Sequence, residues 1–72
     1  MTLDDLHMGK SGVILTVGGE GALRRRLLDM GLTPKTHVFV RKVAPLGDPI
    51  EVTVRGYELS LRKSEAESIL IG

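Results

Sequence analysis

Nine glycines and three prolines cut this 72-residue chain into short segments, and that punctuation decides most of what it can become. No apolar run exceeds three residues; Val13 to Leu15, Val38 to Val40 and Ile69 to Ile71 are the longest. A membrane span needs roughly 20 apolar residues in succession, so no segment here is expected to enter a bilayer directly. The first ten residues carry two acids and no apolar run, unlike a secretory leader.

Between the breakers the patterns change period. Val13 to Val17 reads as a buried strand, after a turn flanked by Gly9 and Gly12. A flexible connection of Gly18, Gly19 and Gly21 leads into one helix, from about Ala22 to Met30. There Leu23, Leu27 and Met30 fall at i, i+4 and i+7. Gly31 stands where a left-handed residue ends a helix without a Cβ clash, with Leu32 folding back on the last turn. Pro34 prevents the helix from resuming. His37 to Ala44 is a second strand whose alternation slips at Val43, which predicts a bulge near Arg41 and Lys42. After the rigid turn Pro45 to Pro49, Ile50, Val52 and Val54 alternate strictly with polar partners. Arg55-Gly56 predicts a tight hairpin turn, and Leu59 and Leu61 continue the inward face. Ser64 and Glu67 fit a capping box around a short helical turn, and Ser68 to Ile71 closes the chain as a last strand. The sum is a mainly β fold. It is a small SH3-like barrel of about five strands, with a helix inserted after the first strand and a short helical turn before the last.

Composition narrows the function. A domain this small buries only about 60% of its unfolded surface, which leaves little capacity for a deep active site. There is no cysteine, so disulfides, zinc-thiolate sites and thiol nucleophiles are excluded, and a reducing cytoplasm is the expected setting. The net charge is +1, with one Phe, one Tyr and no Trp, which argues against a nucleic-acid surface. Neither His7 nor His37 lies in a context resembling a nucleophile elbow. The Gly18-Gly19-Glu20-Gly21 loop lacks the lysine and hydroxyl of a P-loop. His7 and His37 are weak metal candidates, joined by Asp48 or Glu51 at most; the bland alternative makes both ordinary surface residues. No cofactor is required by any motif, and no enzymatic activity is expected.

Two surfaces remain as binding candidates. One is the charged helix with Arg24, Arg25, Arg26 and Asp29. Adjacent helical residues point about 100° apart, so the three arginines cannot form one patch, and Arg26 is expected to lay its stem on the barrel and reach an acid or carbonyl. The alternative is a solvated helix face. The other surface is the loop Pro45, Leu46, Gly47, Asp48 and Pro49, read either as a rigid contact element or as a structural hairpin. Strand edges at Val38 to Val43 or Ile69 to Ile71 are candidates for pairing between copies.

The runs Leu23-Arg24-Arg25-Arg26-Leu27-Leu28-Asp29-Met30-Gly31-Leu32-Thr33-Pro34, Ala44-Pro45-Leu46-Gly47-Asp48-Pro49-Ile50 and Arg55-Gly56-Tyr57-Glu58-Leu59-Ser60-Leu61-Arg62 resemble, in order and spacing, the FeoA family of ferrous iron transport protein A. The similarity covers nearly the whole chain, as one FeoA-like domain over residues 1–72. It implies an SH3-like barrel, a cytoplasmic accessory role in bacterial ferrous iron uptake, and a FeoB-type membrane transporter with a cytosolic GTP-binding domain as partner. Tyr57 joins the expected contact set on this basis. The resemblance extends to the C-terminal domain of iron-dependent repressors, where such a domain is a regulatory contact module. It leaves open whether the chain itself binds ferrous iron. One departure is Lys35, which stands where the family often has Gly; lysine favours a type I turn over type II there.

Overall fold

The strict alternation of residues 50–54 does become a strand. In the computed structural model, which describes all of residues 1–72, the elements in chain order are β1 (Ser11–Val17), α1 (Gly21–Asp29), β2 (His37–Val43), β3 (Ile50–Val54), β4 (Tyr57–Leu61), α2 (Lys63–Ala66) and β5 (Ile69–Ile71). Every pairing is antiparallel, in the order β4-β3-β2-β1-β5. Ile50, Val52 and Val54 point inward and are buried, while Glu51 and Thr53 are half-buried outside. Arg55 and Gly56 both take positive φ, +51° and +84°, as a two-residue type I′ hairpin requires. The expected bulge is present: Val40 pairs with Val52 and Lys42 with Glu51, leaving Arg41 as the extra residue.

The core is one cluster of fourteen apolar side chains drawn from every strand, both helices and the segment before β1. Ile14, Leu27, Leu32, Val38, Val52 and Leu61 lie at its centre with no exposed surface. Leu23 and Met30 flank the buried Leu27 on the inner face of α1. The helix begins one residue earlier than expected and leaves Met30 as its C-cap. Beyond it, the Leu32 N–H donates to Leu27 O and the Gly31 N–H to Leu28 O, at 3.2 and 3.0 Å. Those two bonds and the buried Leu27 and Leu32 form a Schellman end.

Five expectations are corrected. Gly12 does not flank a turn but lies inside β1, where a Cβ would run into the Ile71 side chain. The N-cap of α2 is Arg62, not Ser64, and Glu65 fills the N3 place instead of Glu67; its carboxylate accepts the Arg62 N–H at 2.8 Å. Lys35 keeps the left-handed conformation, φ +72°, because the Thr36 N–H closes the turn on Thr33 O and its own N–H is held by Ile14 O at 2.7 Å. Residues 38–40 are not an edge, since there β2 is bonded both to β3 and to β1 with the residues just before it. Residues 69–71 form the last strand, but its outer side is occupied: the Ile71 N–H donates to Met1 O and Thr2 bridges Leu70.

The segment responsible for that cover was not foreseen. Leu3–Asp5 forms a 3-10 turn with Leu3 fully buried. The Asp5 carboxylate accepts the Thr2 N–H at 2.8 Å, which holds it below the ordinary carboxylate value. The Lys63 ammonium donates to Asp4 at 2.6 Å and is held above its ordinary value by that contact.

Candidate partner-binding surface

The three arginines of α1 have three different fates. The Arg24 Nε–H donates to Val17 O at 3.1 Å, tying the helix to the end of β1. Arg26 reaches down to Glu65, Nη1 to Oε2 at 3.1 Å, with its own head 65% exposed and the carboxylate 7%. Glu65 is the one buried charged residue. It is compensated twice, by Arg26 and by the Arg62 N–H, as a buried carboxylate must be. Arg25 is exposed and takes no part in the ion pairs. The exposed Asp29 closes the last turn, where a negative charge opposes the helix dipole. Arg25 and Asp29 are thus the helix charges not spent on holding the fold.

Tyr57 is partly committed. Its hydroxyl donates to Met30 O at 2.6 Å, fastening the β3–β4 hairpin to the end of α1, while the residue stays 45% exposed. Arg55 supplies the rest of this clamp, and sequence reasoning gave it no role beyond the turn. Its Nε–H donates to Gly31 O, and Nη2 donates to the Thr33 and Thr36 hydroxyls at 2.7 and 3.1 Å. The signal was available: the first and third family-like runs are the two sides of this contact.

In the Pro45 to Pro49 loop, the Gly47 N–H donates to Ala44 O and the Ala44 N–H to Pro49 O. The Asp48–Pro49 bond is cis. Asp48 turns its carboxylate back to accept the Lys63 N–H at 3.0 Å, which anchors the loop to the start of α2. Leu46 at the tip is 95% exposed. So the loop is both a structural hairpin and a protruding apolar knob.

The helix and the loop border one cleft. A cleft of about 310 Å³ is walled by Arg26, Pro49, Ser60, Leu61, Arg62 and Glu65. A second, of about 370 Å³, shares Pro49 and Ser60 and extends over Lys42, Pro45 and Glu51. The histidines are not brought together. His7 lines a separate cleft with Val43 and Gly47, while His37 opens β2 at its other end. No three His, Asp or Glu side chains converge into a group able to hold a metal ion. The donor set therefore does not fit a resident metal built on these histidines.

Over residues 1–72 the chain matches the FeoA domain family. It is 39% identical over 69 residues to the Fe(2+) transport protein A/Fe(2+) transporter FeoB fusion protein of Porphyromonas gingivalis, covering 96% of this chain but only 8% of that protein. Among solved structures it superposes on the FeoA protein of Chlorobium tepidum with a TM-score of 0.91 and 44% identity, covering 99% of this chain and 68% of that one. It also superposes on Stenotrophomonas maltophilia FeoA complexed with zinc, described as a procaryotic SH3 domain protein. There the TM-score is 0.89 at 30% identity, over 100% and 89% of the two chains.

Proposed function

The chain belongs to the FeoA family, a family of small accessory domains of ferrous iron transport, and from that premise we propose that it is a non-enzymatic cytoplasmic subunit that binds a FeoB-type transporter. One observation carries the reading: in the Porphyromonas gingivalis relative the same domain and FeoB share one polypeptide. Fusion keeps two partners at high effective concentration. No helix is long and apolar enough to cross a membrane. The contact surface combines the outer side of α1, through Arg25 and Asp29, with the exposed Tyr57 at the end of that helix and the Leu46 knob.

The test is a pull-down with the cytosolic GTP-binding domain of the transporter from the same organism. Wild-type protein is retained, and Arg25→Glu is retained weakly while its circular dichroism is unchanged. Equal retention of the two would remove α1 from the interface. A second reading, an iron-carrying protein, has the zinc-complexed relative behind it. Anaerobic calorimetry with ferrous iron separates the two, since stoichiometric submicromolar binding abolished by His37→Ala would favour the carrier.

A further inference from the structure

With β2 flanked on both sides over residues 37–40 and the outer side of β5 covered, β4 ends the sheet with an unpaired strand edge. The hairpin fixes which of its backbone groups are free. Val54 pairs with Tyr57 across the two-residue turn, Val52 with Leu59 and Ile50 with Leu61. These are the hydrogen-bonded pairs, because the pair flanking such a turn is hydrogen-bonded and the pattern alternates from there. Glu58 and Ser60 therefore aim their N–H and C=O away from β3, and neither finds a partner in the turns, loops or caps. Helix α1 flanks this edge at both ends, Met30 beside Tyr57 and Arg26 beside Leu61. Between them Ser60 is exposed and lines both clefts.

The chemistry around Ser60 selects the occupant. Arg26, Arg62 and Lys42 stand along the joined clefts against Glu51 and the buried Glu65. Glu65 is already matched by Arg26, and neither Arg62 nor Lys42 is ion-paired. No aromatic side chain lines either cleft, so the stacked platform on which polyproline ligands dock is missing. Pro45, Pro49 and Ala44 supply an apolar wall instead.

We propose that an extended, acidic segment of the protein partner adds to β4 at Ser60, its backbone pairing with the free groups there and its carboxylates meeting Arg62. This rests on the transporter reading above for the identity of the partner, but not for the chemistry of the groove. Backbone pairing would supply affinity, and the basic walls would set register and rate of encounter.

The experiment is an amide NMR titration of the full 15N-labelled chain with two kinds of probe. One is a blocked hexapeptide of alternating glutamate and valine, with alternating lysine and valine as its control. The other is the transporter's cytosolic domain. The acidic peptide should shift Glu58, Ser60 and Arg62 and slow Ser60 amide exchange roughly tenfold. Arg62→Glu should weaken it by about fivefold or more at low salt. Ser60→Pro, which deletes only an outward N–H of an edge strand, should abolish the shifts at Glu58 and Arg62; Ser60→Ala should not. Shifts confined to other faces, or equal binding of both peptides, overturn the groove. Shifts at Ser60 on raising the protein concentration without probe assign the edge to a second copy and also overturn it. Binding of the cytosolic domain unaffected by Arg62→Glu and Ser60→Pro leaves the transporter reading intact and sinks the groove. Peptide binding without domain binding does the reverse.

Discussion

Replacing Gly31 with alanine perturbs two features at one point. Gly31 holds φ at +97°, a conformation that costs a residue with a Cβ about 1–2 kcal/mol. The new Cβ would also stand 2.5 Å from the Tyr57 hydroxyl oxygen, too close for both to stay. The hydroxyl must then leave Met30 O, a loss of about 0.5–1.5 kcal/mol. Against this, alanine lowers the entropy of the unfolded chain, which returns about 0.4–1 kcal/mol. The net destabilisation is about 0.5–3 kcal/mol, against the roughly 3–5 kcal/mol such a domain has. Urea denaturation followed by circular dichroism measures it; in heat the midpoint falls by about 4–8 °C per kcal/mol. The contributions separate in a double-mutant cycle. In the Tyr57→Phe background the clash with the hydroxyl is absent, so Gly31→Ala should cost about 0.5–1.5 kcal/mol less. Equal cost in both backgrounds would show that Tyr57 is not the neighbour that excludes the Cβ. A neutral Gly31→Ala would refute the Schellman end itself.

Lys35→Gly relieves a left-handed lysine and should stabilise the domain by about 0.5–1 kcal/mol, read as a higher urea midpoint at unchanged slope. Glu65→Ala removes the acceptor for the Arg62 N–H and the partner of Arg26 and should cost about 1–2 kcal/mol; Glu65→Gln, which keeps an accepting oxygen, should cost less. The folded carboxyl of Asp5 titrates below 3.8, so its contribution is complete above that value and lost as pH falls through the lowered one. Asp5→Asn should therefore flatten the acid limb of a stability–pH curve. Lys63 titrates above 10.5 when folded, so its contribution is complete below that value and lost as pH rises through the raised one; Lys63→Met should flatten the alkaline limb.

The elements governed by local patterns were legible in the sequence. Strict alternation located β3, the slipped phase of Val43 located the bulge at Arg41, and a glycine after an apolar stripe located the end of α1. Failures came where a distant segment chose between local options. Ser64 with Glu67 and Arg62 with Glu65 both place a glutamate at N3; the Asp48 carboxylate holding the Lys63 N–H selects the second. Lysine at position 35 argues for a type I turn, yet the bond to Ile14 O holds its left-handed φ. The Thr2–Asp5 cap is a local signal too, a threonine followed three residues on by an acid. For the site, exposure of Leu46 and the downward reach of Arg26 followed from residue chemistry. The cleft that helix and loop share at Ser60 and Pro49 did not, because it depends on pairing across β2, β3 and β4.

The central claim is that this domain works by contact with a FeoB-type transporter. Isothermal titration of the purified chain into the transporter's cytosolic GTP-binding domain tests it most directly. The account predicts a saturable one-to-one isotherm that weakens on Arg25→Glu and on Leu46→Ser. The absence of binding heat at several temperatures, with both proteins folded and no NMR shifts in either, would contradict it.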